Sequence, residues 1–279
     1  MSRKSEWPRR KLVVIGNGMA AGRVLEDLFA RAPDKYDVTV FGAEPRVNYD
    51  RIMLSPVLSG EKQFEQIIVH DDAWYAEHHV DLRKGETVVA IDKTARSVRT
   101  QSGIVEHYDD LLIATGSRPI LIPVPGAELP GVVTFRDLDD VNTMLAATQK
   151  GGSAVVIGGG LLGLEAANGL KLRGMNVTVV HLMDWLMERQ LDRTASGMLQ
   201  KSLEAKGLHF MLKTQTTEIV GRDGRVAAVR FKDGSELATD LVVMAVGIRP
   251  NTELAQAAGL HCNRGIVVSD TMQTYDPRI

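Results

Sequence analysis

The sequence predicts an α/β protein built from two parallel-sheet domains. Three observations carry that prediction. Near the start, an apolar strand turns through glycines into a helix and a second strand. The same order recurs from Ser153. The chain has 279 residues, which suits about two domains and is ample for a core in each.

In the first copy, Lys11–Ile15 reads as a buried strand, followed by the turn Gly16-Asn17-Gly18. Helical spacing of Val24, Leu25, Leu28 and Phe29 predicts a helix from Gly22 to Ala32, which Pro33 ends. Asp37–Phe41 is the second strand. In the second copy, Ser153–Ile157 leads into Gly158-Gly159-Gly160. A helix is expected over Leu164–Leu172, with Gly174 just past its end, and a strand over Asn176–Val180. Between and after the copies, Trp74–His79, Asp137–Thr148 and Thr194–Ala205 read as helices. Strands are expected at Glu86–Ile91, Ser97–Thr100, Leu111–Thr115, Phe210–Val220, Val226–Lys232 and Leu241–Val246. Pro119, Pro123 and Pro125 mark one linker, and Arg249-Pro250 a second.

Composition narrows the function. Apolar residues make up 44% and charged residues 24%, as in an ordinary globular protein. Thirty-three basic residues against 35 acidic ones provide no broad cationic face for nucleic acid. A single cysteine excludes a CxxC redox pair, an all-cysteine zinc site and a cysteine-ligated iron–sulfur cluster within the chain. No apolar run approaches the ~20 residues of a membrane span. Arg9-Arg10 stands before only a short apolar run, so the basic start is expected to be a solvated tail and the location cytoplasmic.

The glycine spacing has a chemical purpose. The first glycine of GxGxxG turns the strand into the helix, the second lets backbone approach a pyrophosphate, and the third packs helix on strand. The helix N-terminus offers free N–H groups to phosphate, and a carboxylate ending the next strand takes ribose hydroxyls. Gly16, Gly18 and Ala21 fit this pattern, with Glu44 as the acid. Gly158, Gly160 and Gly163 fit it again, but His181 stands where the acid belongs, and no carboxylate follows until Asp184. An imidazole there would tolerate a 2′-phosphate. NADH and NADPH both remain open.

Two such loops, together with Ala114-Thr-Gly-Ser-Arg-Pro119 and Ala245-Val-Gly-Ile-Arg-Pro250, resemble the two-dinucleotide-binding flavoprotein reductases. Segments including Asn48-Tyr-Asp-Arg51, Gly158-Gly-Gly-Leu-Leu-Gly-Leu-Glu165, Leu186-Met-Glu-Arg-Gln-Leu-Asp192 and Gly265–Asp270 are similar to the N-terminal flavin module of NAD(P)H nitrite reductase large subunits. The resemblance covers nearly the whole chain. It implies two Rossmann-like domains, the NAD(P) domain inserted in the FAD domain: 1–119 and 248–279 for FAD, 120–247 for NAD(P)H. It further implies that the last part of the FAD domain and any interface domain lie outside this chain. The strand that supplies an acid to the flavin ribityl chain would then be absent, and FAD binding weaker.

The resemblance also implies roles. For FAD these are Gly16, Gly18, Met19 and Ala20 at the pyrophosphate, Glu44 at ribose, Val88 meeting adenine by backbone, and Thr115, Gly116 and Ser117 at the flavin. Arg51 faces phosphate or flavin, or else forms an ion pair with Asp50 or Glu44. For NAD(P)H they are Gly158, Gly160, Leu161, Leu162 and Gly163, with Gly247 closing the site and His181 at the ribose. Glu165 stands beside the nicotinamide, or is simply a solvated helix residue. No side chain is assigned acid–base catalysis, and no metal is expected. The region after Glu44 lacks cysteines, which excludes a dithiol mechanism; Cys262 reads as an ordinary thiol. The position after Leu54-Ser55, often lysine in ferredoxin-reductase relatives, is Pro56.

Three functions fit. Hydride passes from NAD(P)H to FAD, and electrons go on to iron–sulfur and sirohaem centres in domains absent from this chain. Alternatively, they go to a separate rubredoxin- or ferredoxin-type carrier. As a third possibility, the chain binds nucleotide without turnover. A homo-oligomer is compatible with each. Elsewhere, His78-His79 is expected at a polar helix end, Asp139-Asp140 at a solvated helix start, Trp74 and Trp185 in packing, and Met183, Met187 and Met198 as core filling.

Overall fold

A computed structural model describes residues 8–279. The basic start, residues 1–7, lies outside the described residues. The chain divides into two compact units. One takes the described residues up to Asp50, then Ile67–Ser117 and Pro250–Ile279. The other takes Arg51–Gln66 and Arg118–Arg249.

The strand Arg10–Ile15 explains the first unit's core. Successive side chains of a strand point to opposite faces. Leu12 and Val14 enter one apolar cluster with Ala21, Leu25, Val38 and Val40. Val13 and Ile15 enter another with Phe41, Val88, Ile91 and Val98. A strand apolar on both faces suits the middle of a parallel sheet. The sheet order is Asp81–Lys84, Tyr36–Gly42, Arg10–Ile15, Asp110–Ile113, and every pair is parallel. Helix Met19–Arg31 buries Ala21, Gly22 and Leu25. A three-stranded antiparallel sheet, Val88–Asp92, Ser97–Thr100 and Val105–His107, contributes Val88, Ile91 and Val98 to the second cluster.

The second unit repeats the plan. Its parallel sheet runs Val132–Thr134, Leu241–Met244, Ser153–Ile157, Asn176–Val180, His209–Met211. Helices Leu138–Thr148, Leu161–Leu172 and Arg193–Ala205 accompany it. An antiparallel sheet, Thr216–Arg222, Arg225–Phe231 and Glu236–Ala238, supplies Ile219, Val229 and Phe231 to the same core as Val155, Ile157 and Met244. The chain passes between units at Ser117–Pro119 and Ile248–Pro250, which pair with one another.

Three readings change, and one further helix appears. Both glycine-loop helices begin one turn before the predicted starts, at Met19 and Leu161, directly on the loops. The stretch Phe210–Val220 is two strands, broken where Lys213 takes a left-handed backbone (φ 54°). Helix Leu54–Ser59 forms despite Pro56 because the proline sits in the first turn, where its missing N–H has no intrahelical partner to lose. Residues 51–66, expected in the 1–119 segment, group with the second unit instead. Arg173 donates to the carbonyls of Leu58 (2.7 Å) and Val57 (3.2 Å), closing the C-terminal end of that short helix. Leu58 is fully buried and packs against Gly169, where even a Cβ would approach within 2.8 Å.

Candidate functional site

Both glycine loops leave the C-terminal end of a strand that has neighbours running to either side in the sheet order. That switch point is where open α/β sheets form ligand crevices. The two loops share a backbone pattern. Gly16 N–H donates to Phe41 and Gly158 N–H to Val180, both at 2.8 Å; Ala114 and Ala245 N–H donate back to Ile15 and Ile157. Gly16 (φ 110°) and Gly158 (φ 124°) adopt backbones that other residues rarely take. A Cβ on either would stand 2.2 and 2.3 Å from the carbonyl oxygens of Ala114 and Ala245.

Gly18 and Gly160 are glycine for another reason. Their backbones are extended (φ −89°, ψ −177° and φ −84°, ψ −178°), open to any residue. A Cβ on either would meet no protein atom within 4 Å. Each is the N-cap of a helix, yet neither provides a side-chain cap, and neither helix has an acidic residue in its first turn. Helices starting at Asp72, Leu138 and Arg193 are capped by Asp71, Asp137 and Asp192. A Ser, Thr, Asp or Asn cap stabilises a helix by about 1 kcal/mol. Forgoing it twice, in open space beside unpaired N–H groups, fits a pyrophosphate at each loop.

The expected ligand-binding residues fall as follows. In the first unit, Met19 and Ala20 open the helix. Glu44 accepts a hydrogen bond from Tyr49 Oη (2.7 Å). Val88 is buried at the start of its strand, paired with Thr100. Thr115 Oγ1 donates to the Asn251 carbonyl (3.0 Å) and Asn251 Nδ2 returns a bond to the Thr115 carbonyl (2.8 Å). Gly116 lies at φ 66°, its carbonyl accepting from Asn251 N–H, and Ser117 starts the first passage between units. Sequence reasoning missed Asn251, whose only local signal was its place after Arg249-Pro250.

In the second unit, Gly163 packs so tightly that its Cβ would reach 2.0 Å from the Gly158 carbonyl oxygen. Leu161 and Leu162 are exposed at the loop. Glu165 is not simply solvated: it accepts from Ser55 Oγ (2.7 Å), on the segment that joined this unit. Gly247 (φ 118°) accepts from Ile120 N–H. Arg51 belongs here as well and donates to the Arg136 carbonyl (3.1 Å). The helix Leu138–Thr148 has a less solvated start than expected. Asp140 accepts from Thr134 Oγ1 and Arg136 N–H, both at 2.7 Å, and burial pushes its carboxyl up from the ordinary aspartate value.

His181 departs furthest from expectation. Its ring is buried, and Nδ1 accepts the Gly159 N–H (3.0 Å). That nitrogen therefore carries no proton, and Nε2–H faces Glu188 at 3.1 Å. The imidazole is engaged on both sides. Asp184 is committed to Arg193 (2.6 Å) and lies near Lys213 (3.9 Å); the Arg193 hydrogen bond holds its carboxyl below the usual range. Trp185 donates to the Leu191 carbonyl and lies under the Arg193 guanidinium. Met183 and Met198 are exposed rather than core filling.

The remaining candidates are structural. His78 Nδ1–H donates to the Trp74 carbonyl (2.9 Å), and its ring stacks on Phe29 and lies tilted against Trp74. Among the described residues, no group of three His, Cys, Asp or Glu side chains is arranged to hold a metal, and no helix is long and apolar enough to cross a membrane. Partial burial raises the Cys262 thiol above its ordinary value.

Comparison with known proteins agrees with this geometry. The sequence pattern of the family described as pyridine nucleotide-disulphide oxidoreductase matches residues 10–279. The nitrite reductase [NAD(P)H] of Bacillus subtilis is 51% identical over 271 residues, covering 97% of this chain and 34% of that protein. The assimilatory nitrate reductase electron transfer subunit of the same organism is 45% identical, covering 97% of this chain and 35% of its own. Among solved structures, the ferredoxin reductase for the CYP199A2 system from Rhodopseudomonas palustris superposes with a TM-score of 0.91. It is 30% identical and covers 97% of this chain and 67% of its own. The chain thus spans about a third of the length of the two curated relatives.

Proposed function

The chain belongs to the pyridine nucleotide-disulphide oxidoreductase family, and from that premise we propose that it is the flavin module of an NAD(P)H nitrite reductase. The first unit holds FAD and the second the nicotinamide nucleotide. The observation that carries this reading is the pair of uncapped glycine loops, one in each unit, within a chain 51% identical to such an enzyme. When bound, the flavin supplies the redox chemistry: it takes a hydride and releases electrons singly.

The chain's own residues bind and orient. N–H groups at Met19 and Ala20 meet the FAD pyrophosphate, and Gly18 leaves room for it. Glu44, held by Tyr49, accepts from the ribose. The Thr115–Asn251 exchange of two hydrogen bonds fixes the backbone through Gly116 and Ser117, the stretch assigned to the flavin ring. In the second unit Leu161 and Leu162 meet the second pyrophosphate, and Gly247 leaves space for the nicotinamide. Ser55 fixes one carboxylate oxygen of Glu165, the residue that would stand beside that ring. Arg51 is assigned to positioning the segment before Leu54 through the Arg136 carbonyl rather than to phosphate. Val88 meets adenine through its backbone, since its side chain is in the core.

In this reading an iron–sulfur and sirohaem centre would accept the electrons. A carrier-linked reductase is the second reading, favoured by the likeness to a ferredoxin reductase. Pro56 counts against it, since those relatives often carry lysine there. The test is the visible spectrum of the purified chain supplied with FAD, taken without oxygen before and after NADH or NADPH. A bound-flavin spectrum that bleaches is expected. Failure to take up FAD would overturn the reading; bleaching followed by rapid reoxidation with a ferredoxin would favour the second.

A further inference from the structure

The second loop lacks a carboxylate at the end of its strand, but the fold brings one there from farther along the chain. After Asn176–Val180 the chain runs through His181–Asp184 and turns back toward the loop at Leu186 and Met187. Met187 takes a left-handed backbone (φ 53°) and donates its N–H to the Gly159 carbonyl (2.9 Å). His181 accepts the Gly159 N–H. Both backbone polar groups of Gly159 are thus held by residues 181–187. The contact is also steric: a Cβ on Gly159 would stand 2.8 Å from the His181 ring and from Leu186. A β-branched or bulky residue seldom adopts the Met187 backbone, and for any non-glycine residue it is strained, so this turn persists because the contacts around Gly159 define it.

Glu188 follows immediately. One of its oxygens meets Nε2–H of His181, whose other nitrogen is on the loop. The other nearby carboxylate, Asp184, is neutralised by Arg193 and Lys213. Building on the reading of this loop as the nicotinamide-nucleotide site, the geometry points to Glu188 as the carboxylate that accepts the adenosine ribose hydroxyls, with His181 as its positioning residue and NADH as the substrate preferred over NADPH. The second oxygen of Glu188 is the acceptor for the diol. The same negative charge repels a 2′-phosphate, so one residue both attracts the diol and rejects the phosphate. Arg189, next in sequence, is the exposed cation that would compete for a phosphate.

The test is calorimetric binding of ADP-ribose and 2′-phospho-ADP-ribose to the full chain, which needs no turnover. Wild type should bind ADP-ribose at least about tenfold more tightly, the scale of one hydrogen bond to a charged group. Glu188→Gln should bring the two ligands to within about threefold, and Glu188→Ala should do the same if the amide disturbs folding. His181→Gln should weaken ADP-ribose more than it weakens 2′-phospho-ADP-ribose, a change in ratio that loss of stability alone would not give. A wild-type preference for the phosphorylated ligand, or a ratio that both Glu188 variants leave unchanged, overturns the assignment. Binding of neither ligand would overturn the underlying reading of the loop itself.

Discussion

Gly160 and Gly163 stand in one loop and are glycine for different reasons. At Gly163 a Cβ would collide with the Gly158 carbonyl, so the requirement comes from packing. At Gly160 a Cβ enters open space, so packing does not require the glycine, and in the proposed reading the approach of a pyrophosphate does. Gly163→Ala should therefore cost about 1–3 kcal/mol in urea unfolding. Gly160→Ala should leave stability equal or raise it by up to about 1 kcal/mol, since its backbone already suits alanine. Calorimetry should nonetheless find ADP-ribose binding lost in Gly160→Ala. Unchanged binding there would mean the open space is not the phosphate cradle. The spacing of these residues was legible because loop geometry is local. The state of His181 was not, because it depends on Gly159 and Glu188 together. Met183 and Met198 misled for a like reason: an apolar side chain does not say which side of its element faces solvent.

At the scale of elements, the long strands and helices follow from periodicity, while their ends follow from caps and contacts. Asp137 caps helix Leu138–Thr148, and Asp140, on its first turn, reaches back to Thr134 and Arg136. Burial raises the Asp140 pKa in the folded state, with Asp137 adding a like charge. The sign follows from linkage. A folded-state pKa above the unfolded one contributes stability that is fully present below the unfolded value, 3.8, and is lost as pH rises through the folded value. Relative to Asp140→Asn, the wild type should thus gain stability as pH falls from about 7 toward 4, opposite to a salt-bridged carboxylate. Urea unfolding of both proteins across that range checks it; a gap that narrows on acidification would refute it. The short strands Asp81–Lys84 and Val132–Thr134 escaped prediction because so few residues carry no period of their own.

The division of the whole chain holds a feature no local pattern announces. Residues 51–66 leave the first unit and fold with the second, fastened by Arg173 and by Leu58 against Gly169. Amides of Leu54–Ser59 should therefore exchange with deuterium in step with those of Leu161–Leu172. Arg173→Met should speed exchange at 54–59 while leaving Arg10–Ile15 protected. Mass spectrometry of peptides from each region reads this directly. Exchange at 54–59 that follows the first sheet instead would sink it. By itself the sequence determined the repeated strand–loop–helix–strand order, the two glycine loops and the absence of a cysteine pair. Each rests on neighbours a few residues apart or on composition. Only the tertiary structure decided which unit takes residues 51–66, that Ser55 meets Glu165, and that His181 joins Glu188 to the second loop. Those contacts link residues distant in sequence, and their geometry is set by packing rather than by local backbone preference.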